Sequence, residues 1–102
     1  MTDRLRLRGT DLRYVVTDHL FRHGPQTVAD ILDELGYHGF DVASPGSKTL
    51  SDALRWEVRR GRLRRLRRGR YGPGHMPRGT EHRIQTRAMA LREKAGQRGA
   101  YS

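Results

Sequence analysis

The stretch from Arg55 to Tyr71 constrains this chain more than any other. Nine of its seventeen residues are arginine and one, Glu57, is acidic. A plain run of like charges would stay extended and solvated. Here Val58, Leu63, Leu66 and Tyr71 recur through the run, and Gly61 and Gly69 punctuate it. Glycine closes helices and supplies the positive φ of tight turns. The pattern predicts a helix ending at Gly61, a strand over 62–66, a turn at Arg67-Arg68-Gly69 and a second strand at Arg70-Tyr71. Leu63 and Leu66 break strict alternation, which predicts a bulge or twist near Arg64-Arg65. Such a hairpin turns Arg60, Arg62, Arg64, Arg65, Arg67, Arg68 and Arg70 into a fixed array of cations. Arg67 and Arg68, at the turn, project furthest.

The charge is uneven along the chain. Up to Leu54, six basic residues face eight acids, a balance of −2; from Arg55 on, fifteen face three, a balance of +12. A basic footprint confined to one half points to a polyanion, nucleic acid first. The plain alternative is a soluble, sticky basic protein. The 102 residues, 34% of them hydrophobic, predict one domain with a compact body of about 60 to 70 residues. The chain has no cysteine, which removes disulfides and thiolate metal sites and suits a reducing, cytoplasmic compartment. No apolar run approaches the roughly 20 residues that span a bilayer, and the N-terminus lacks an apolar signal core. Nineteen arginines against two lysines suggest a GC-rich, bacterial genome.

The remaining segments read in order. Residues 1–10 alternate Arg and Leu before Gly9; an edge strand, a basic arm and disorder are all compatible, and the reading adopted is a mobile basic arm. Residues 11–22 form a first helix, with Leu12, Val15, Val16, His19 and Leu20 on one face and Asp11 and Asp18 off it. Tyr14 and Phe21 clamp a neighbouring segment from its other side. His19 and His23 are an i, i+4 pair without a third ligand, so a satisfied, half-buried histidine outweighs a metal site. Thr27 caps a second helix through Leu35, with Val28, Ile31, Leu32 and Leu35 inward. Asp30, Asp33 and Glu34 make its outer face, a solvated surface that repels phosphate. An irregular connection follows over 36–46, from which Tyr37, Phe40 and Val42 fold back on the core. Ser47 caps a third helix to Arg60 with Leu50, Ala53, Leu54 and Val58 buried. Opposite them, Lys48, Asp52, Arg55 and Arg59 share one narrow arc flanked by Thr49 and Trp56. Such a face is able to enter a major groove, and Asp52 either positions an arginine or accepts from cytosine. Residues 74–79 read as a linker, and Thr80 caps a last helix over 80–96. Its seam, Ile84, Ala88, Leu91 and Ala95, is too short to stand alone and must pack on the domain or, as a homodimer, on a second copy. Residues 97–102 are expected to fray.

Helix, turn, helix, long connection, helix and a hairpin ending Gly69-Arg70-Tyr71 is the order of a winged helix-turn-helix, which the chain resembles over 11–73. Gly24-Pro25-Gln26-Thr27-Val28-Ala29-Asp30-Ile31-Leu32 is similar to the second-helix entry of these domains. Pro45-Gly46-Ser47-Lys48-Thr49-Leu50-Ser51-Asp52-Ala53-Leu54, with Gly69-Arg70-Tyr71, most resembles the HARE-HTH type. The resemblance implies a mainly α fold with a small β-hairpin, three helices plus a wing. It also implies a recognition helix carrying Lys48, Asp52, Arg55 and Arg59, and a wing tipped by Arg67 and Arg68. The dense wing arginines and the added C-terminal helix depart from the family.

The function expected is binding of double-stranded DNA by a transcriptional regulator or nucleoid-associated factor, with the recognition helix over 47–60 in the major groove. The wing over 62–71 then lies on phosphates or in the minor groove. Alternatives are an RNA- or ribosome-associated protein and a protein-interaction adaptor such as an antitoxin-like regulator. Trp56 and Tyr71 are the only aromatics of the basic half before Tyr101, which argues against an RNA stacking platform. No phosphate-binding glycine loop, paired metal motif or nucleophile–base spacing is present, so neither an enzyme nor a cofactor is expected.

Overall fold

A computed structural model describes residues 4–99. It is mainly helical, with four helices and two small sheets. The order is β1 (Leu5–Leu7), α1 (Gly9–His23), β2 (Gln26–Thr27), α2 (Val28–Tyr37), β3 (Phe40–Val42), α3 (Gly46–Arg59), β4 (Leu63–Arg67), β5 (Arg70–Pro73) and α4 (Arg78–Gly99).

α1 is the central element. Leu12, Val15, Val16, His19 and Leu20 are buried as their spacing predicts, and α3 packs on that side. Each such aliphatic side chain contributes about 1.5–3 kcal/mol when fully buried. Thr17 and Asp18 are buried as well: Thr17 bonds Glu57 of α3, and Asp18 meets Arg92 of α4, which lies along the adjacent side of α1. Asp18 thus moves from the polar side expected of it into an interface. The helix ends at Gly24, whose N–H donates to Leu20 O at 2.8 Å. α2 begins as expected: Thr27 Oγ1 accepts from the Asp30 N–H at 3.1 Å. α3 starts one residue before Ser47, with Pro45 rather than Ser47 at the N-cap.

Three segments depart from the sequence reading. The first is the arm. Leu5–Leu7 pairs in parallel with Phe40–Val42, and Leu7 and Phe40 are both in the core. Arg6 closes the ladder with two bonds to Asp41 Oδ2, at 3.0 and 2.7 Å. A parallel partner requires a long crossover, here all of α1 and α2, so nothing local to residues 1–10 could reveal it. Residues 1–3 lie outside the described residues. The second is the connection 36–46, which supplies β3; Phe40 is buried and Val42 packs on the core, whereas Tyr37 is 86% exposed.

The third is the C-terminal helix. It begins at Arg78, two residues before Thr80, and its first turn is tied by Glu81 N donating to Pro77 O at 2.9 Å. It continues to Gly99, past the frayed end expected at 97; residues 100–102 lie outside the described residues. Ile84, Ala88, Leu91 and Ala95 are all buried within the single chain, chiefly against α1. Of the two alternatives for the seam, Ile84, Ala88 and Leu91 take the first and pack on the domain itself.

The hairpin forms with the predicted irregularity, a register shift between Arg65 and Arg67. Gly69, at φ 71°, makes its turn and Gly61, at φ 79°, ends α3. β2 adds a third strand, pairing Gln26 with Tyr71 and Thr27 with Arg70 to give the antiparallel order β2-β5-β4. The linker is stitched down: Gly74 N donates to Arg62 O at 2.9 Å, and a Cβ on Gly74 would meet Gly61 O at 2.4 Å. Only glycine fits that approach.

Candidate nucleic-acid interface

α3 carries the first group of predicted residues. Lys48, Asp52, Arg55 and Arg59 are all exposed and share its outer face. Asp52 sits between two of the cations, accepting from Lys48 Nζ at 3.1 Å and from an Arg55 guanidinium N–H at 2.5 Å. Hydrogen bonds from Arg55 and then Lys48 hold its carboxyl below the usual carboxylate range. Of the two roles open to Asp52, the structure has it positioning an arginine.

The hairpin carries the second group, and the structure divides it. Arg64, Arg65, Arg67 and Arg68 are exposed, and among the described residues no carboxylate pairs with them. Arg65 lies with Arg55, Val58, Arg59 and Tyr71 around a shallow cleft of about 220 Å³, so the β4 face of the hairpin and the outer face of α3 form one surface. Arg70 is half-buried and donates to Pro25 O at 3.4 Å. Arg62 is not part of the outward array. Its Nε and an NH2 group donate to Glu57 Oε1 and Oε2 at 2.7 and 2.8 Å. Those bonds raise its pKa above the ordinary guanidinium value. The expectation that Arg62 serves phosphate gives way, because this residue, just before β4, bonds the end of α3.

Glu57 is the residue that sequence reasoning missed. It is fully buried, accepts from Thr17 Oγ1 at 3.0 Å, and lies 3.8 Å from Arg13 Nε. It occupies the inward position at the end of α3, while Val58, placed in the buried stripe from sequence, is only partly buried. A lone acid inside nine arginines was the available signal, since an uncompensated cation cannot be buried there.

Trp56, half-exposed, is surrounded by guanidinium groups: Arg13 at 4.7 Å, Arg60 at 5.0 Å and Arg59 at 5.7 Å from its ring centroid. Arg13 comes from α1, and no spacing within 55–71 could have indicated it.

The remaining polar clusters have structural partners. His19 is buried with Nε2 facing Gln26 Oε1 at 2.8 Å and Glu34 Oε2 at 2.5 Å, both acceptors. Burial lowers its pKa despite the nearby carboxylate, which is 41% exposed and therefore screened. The His23 ring stands 4.5 Å away. Among the described residues no group of three metal-ligating side chains occurs, and no helix is long and apolar enough to cross a membrane. On α2, Asp30 and Asp33 face solvent, whereas Glu34 turns toward His19 and Gln26.

Compared with family models, curated proteins and solved structures, the chain gives no match.

Proposed function

We propose that this chain is a winged helix-turn-helix protein that binds duplex DNA, acting in bacteria as a transcriptional regulator or nucleoid-associated factor. One observation carries the reading: a hairpin cation and the polar arc of α3 border the same cleft, Arg65 against Arg55 and Arg59. A helix about 10–12 Å across matches a major groove about 12 Å wide. With α3 seated there, Arg55, Arg59 and Lys48 reach base edges, and Arg64, Arg65, Arg67 and Arg68 meet phosphate. The three-stranded sheet, with β2 entering between α1 and α2, supports the winged-helix assignment. The acidic face of α2, at Asp30 and Asp33, turns away from the backbone by charge alone.

Selection from a random duplex pool at near-physiological salt tests this. A recovered motif is expected, and Arg55→Ala or Arg59→Ala should cost about 1–3 kcal/mol on it and relax its specificity. Recovery of nothing above background, or binding that does not weaken with salt, would sink the reading. An RNA partner is separated by competition between duplex DNA and structured RNA.

A further inference from the structure

Trp56, Arg13 and Arg60 have no role in that reading, and their chemistry calls for one. Trp56 is the chain's one tryptophan and is 38% exposed. Three cations share its ring, and among the described residues no carboxylate bonds Arg59 or Arg60. The nearest acid to Arg13 is Glu57, at 3.8 Å, and that carboxylate already takes both Arg62 bonds. Arg13 Nε is buried without a hydrogen-bond partner. Cation–π contact holds the groups together while their charges repel, and an anion relieves that repulsion. Arginine suits this because stacking engages the flat face of the guanidinium and leaves its N–H edge free to donate.

Position supplies the rest. At 100° per residue, Trp56 and Arg60 lie on the flank of α3 that faces α1, whereas Val58 and the cleft with Arg65 lie on the flank that faces the hairpin. A helix filling a major groove meets a sugar–phosphate wall on each side. The hairpin serves one wall. We infer that Arg13 and Arg60, gathered on the Trp56 indole, form a second phosphate-binding site for the opposite wall of the groove. A hollow of about 290 Å³ lined by Gly9, Arg13, Asp52 and Trp56 lies beside the cluster and leaves room for a phosphodiester. Its one carboxylate, Asp52, is already bonded by Lys48 and Arg55. The site reads no bases; it fixes the depth and direction of α3 in the groove.

This inference rests on the DNA reading, so its test carries a comparator. Trp56 emission is followed while the full chain is titrated with a mixed-sequence DNA duplex, and affinity is measured across salt for the wild type, Arg60→Gln and Arg68→Gln. Duplex binding should change Trp56 emission. Arg60→Gln should weaken every sequence alike, roughly eightfold near 0.1 M salt for a slope change of ~0.9. A duplex with neutral methylphosphonates along the wall away from the hairpin should weaken the wild type likewise and erase the gap to Arg60→Gln. That arm requires no variant to fold. If Arg60→Gln and the neutral duplex match the wild-type controls while Arg68→Gln is weakened, the second wall falls and the DNA reading stands. If neither variant differs and Trp56 emission is silent, both fall. An equal emission change with A-form RNA, whose major groove is too narrow for α3, would also overturn the placement.

Discussion

The C-terminal helix and the hairpin are both rich in arginine, and they use it in opposite ways. On α4, Arg87 makes two bonds to Asp11, at 3.0 and 3.1 Å, and Arg92 bonds the buried Asp18, which Arg22 also meets at 3.0 Å. These cations lock α4 to α1. On the hairpin, among the described residues, Arg64, Arg65, Arg67 and Arg68 have no carboxylate to meet, and only Arg62 at its foot is matched, by Glu57. The two halves of opposite charge are thus partly folded onto one another. The balance of +12 after Leu54 overstates the cationic surface, and what remains unmatched concentrates on the hairpin and α3.

The largest effect should come from the foot of the hairpin. Glu57→Gln leaves the partly buried Arg62 without its counter-charge and puts an amide where Glu57 was fully buried, and should destabilise the fold by about 2–4 kcal/mol. Denaturant unfolding measures this, and a loss under about 1 kcal/mol would show that Arg62 finds solvent instead. Asp18→Asn comes next: weakening its bonds to Arg92 and Arg22 should cost about 1.5–3 kcal/mol and expose the α4 backbone to hydrogen exchange before the rest of α1. Uniform exchange across both helices would break the distinction between anchoring and free arginines.

The free set is tested by binding. Arg67→Ala and Arg68→Ala should leave unfolding unchanged, and each should lower the salt slope of duplex binding by about 1. Arg87→Ala should do neither to a comparable degree, because its pair with Asp11 is exposed and screened. A fall in slope for Arg87→Ala as large as for Arg68→Ala would place α4 on the nucleic acid and erase the contrast.

The smallest effect is a pH dependence at His19, which Arg92 also influences. Its folded pKa lies below the ordinary 6.5, chiefly through burial. Between those two values the unfolded chain takes up a proton that the folded chain refuses. Stability from this group is therefore complete above about pH 6.5 and declines as pH falls through the folded pKa. His19→Gln should flatten that part of the unfolding profile; an unchanged profile would assign the decline to another group.

Much of the frame was legible because local rules decide it. The apolar periods of α1, α2 and α3, the Thr27 cap, the stops at Gly24 and Gly61, and the bulge between Arg65 and Arg67 depend on residues within a few positions of one another. β2 and β3 were not legible as strands, and β1 was one of three readings open for residues 1–10 and not the one adopted. Each is two or three residues long, and each exists only through a partner distant in sequence: Leu5 against Phe40, Gln26 against Tyr71. Of the candidate site, the exposed face of α3 and the tip of the hairpin could be read from spacing. Arg13 at Trp56 could not, since it arises where α1 crosses α3, whereas the loss of Arg62 to Glu57, five residues away, had only the lone acid as its signal.

By itself the sequence determined where α2 starts, where α1 and α3 stop, where the hairpin turns, and on which side of Leu54 the positive charge accumulates. Hydrogen-bond capping, glycine's freedom at positive φ and apolar periodicity act over one or two turns of chain. Tertiary structure alone decided which charges would face one another. An ion pair depends on distance in space and on removal from water, and neither is written in spacing. Asp18 became a buried anchor when α4 covered it, the α4 seam closed on α1, and Arg62 left the cationic array. Packing left Arg64, Arg65, Arg67 and Arg68 unmatched beside α3.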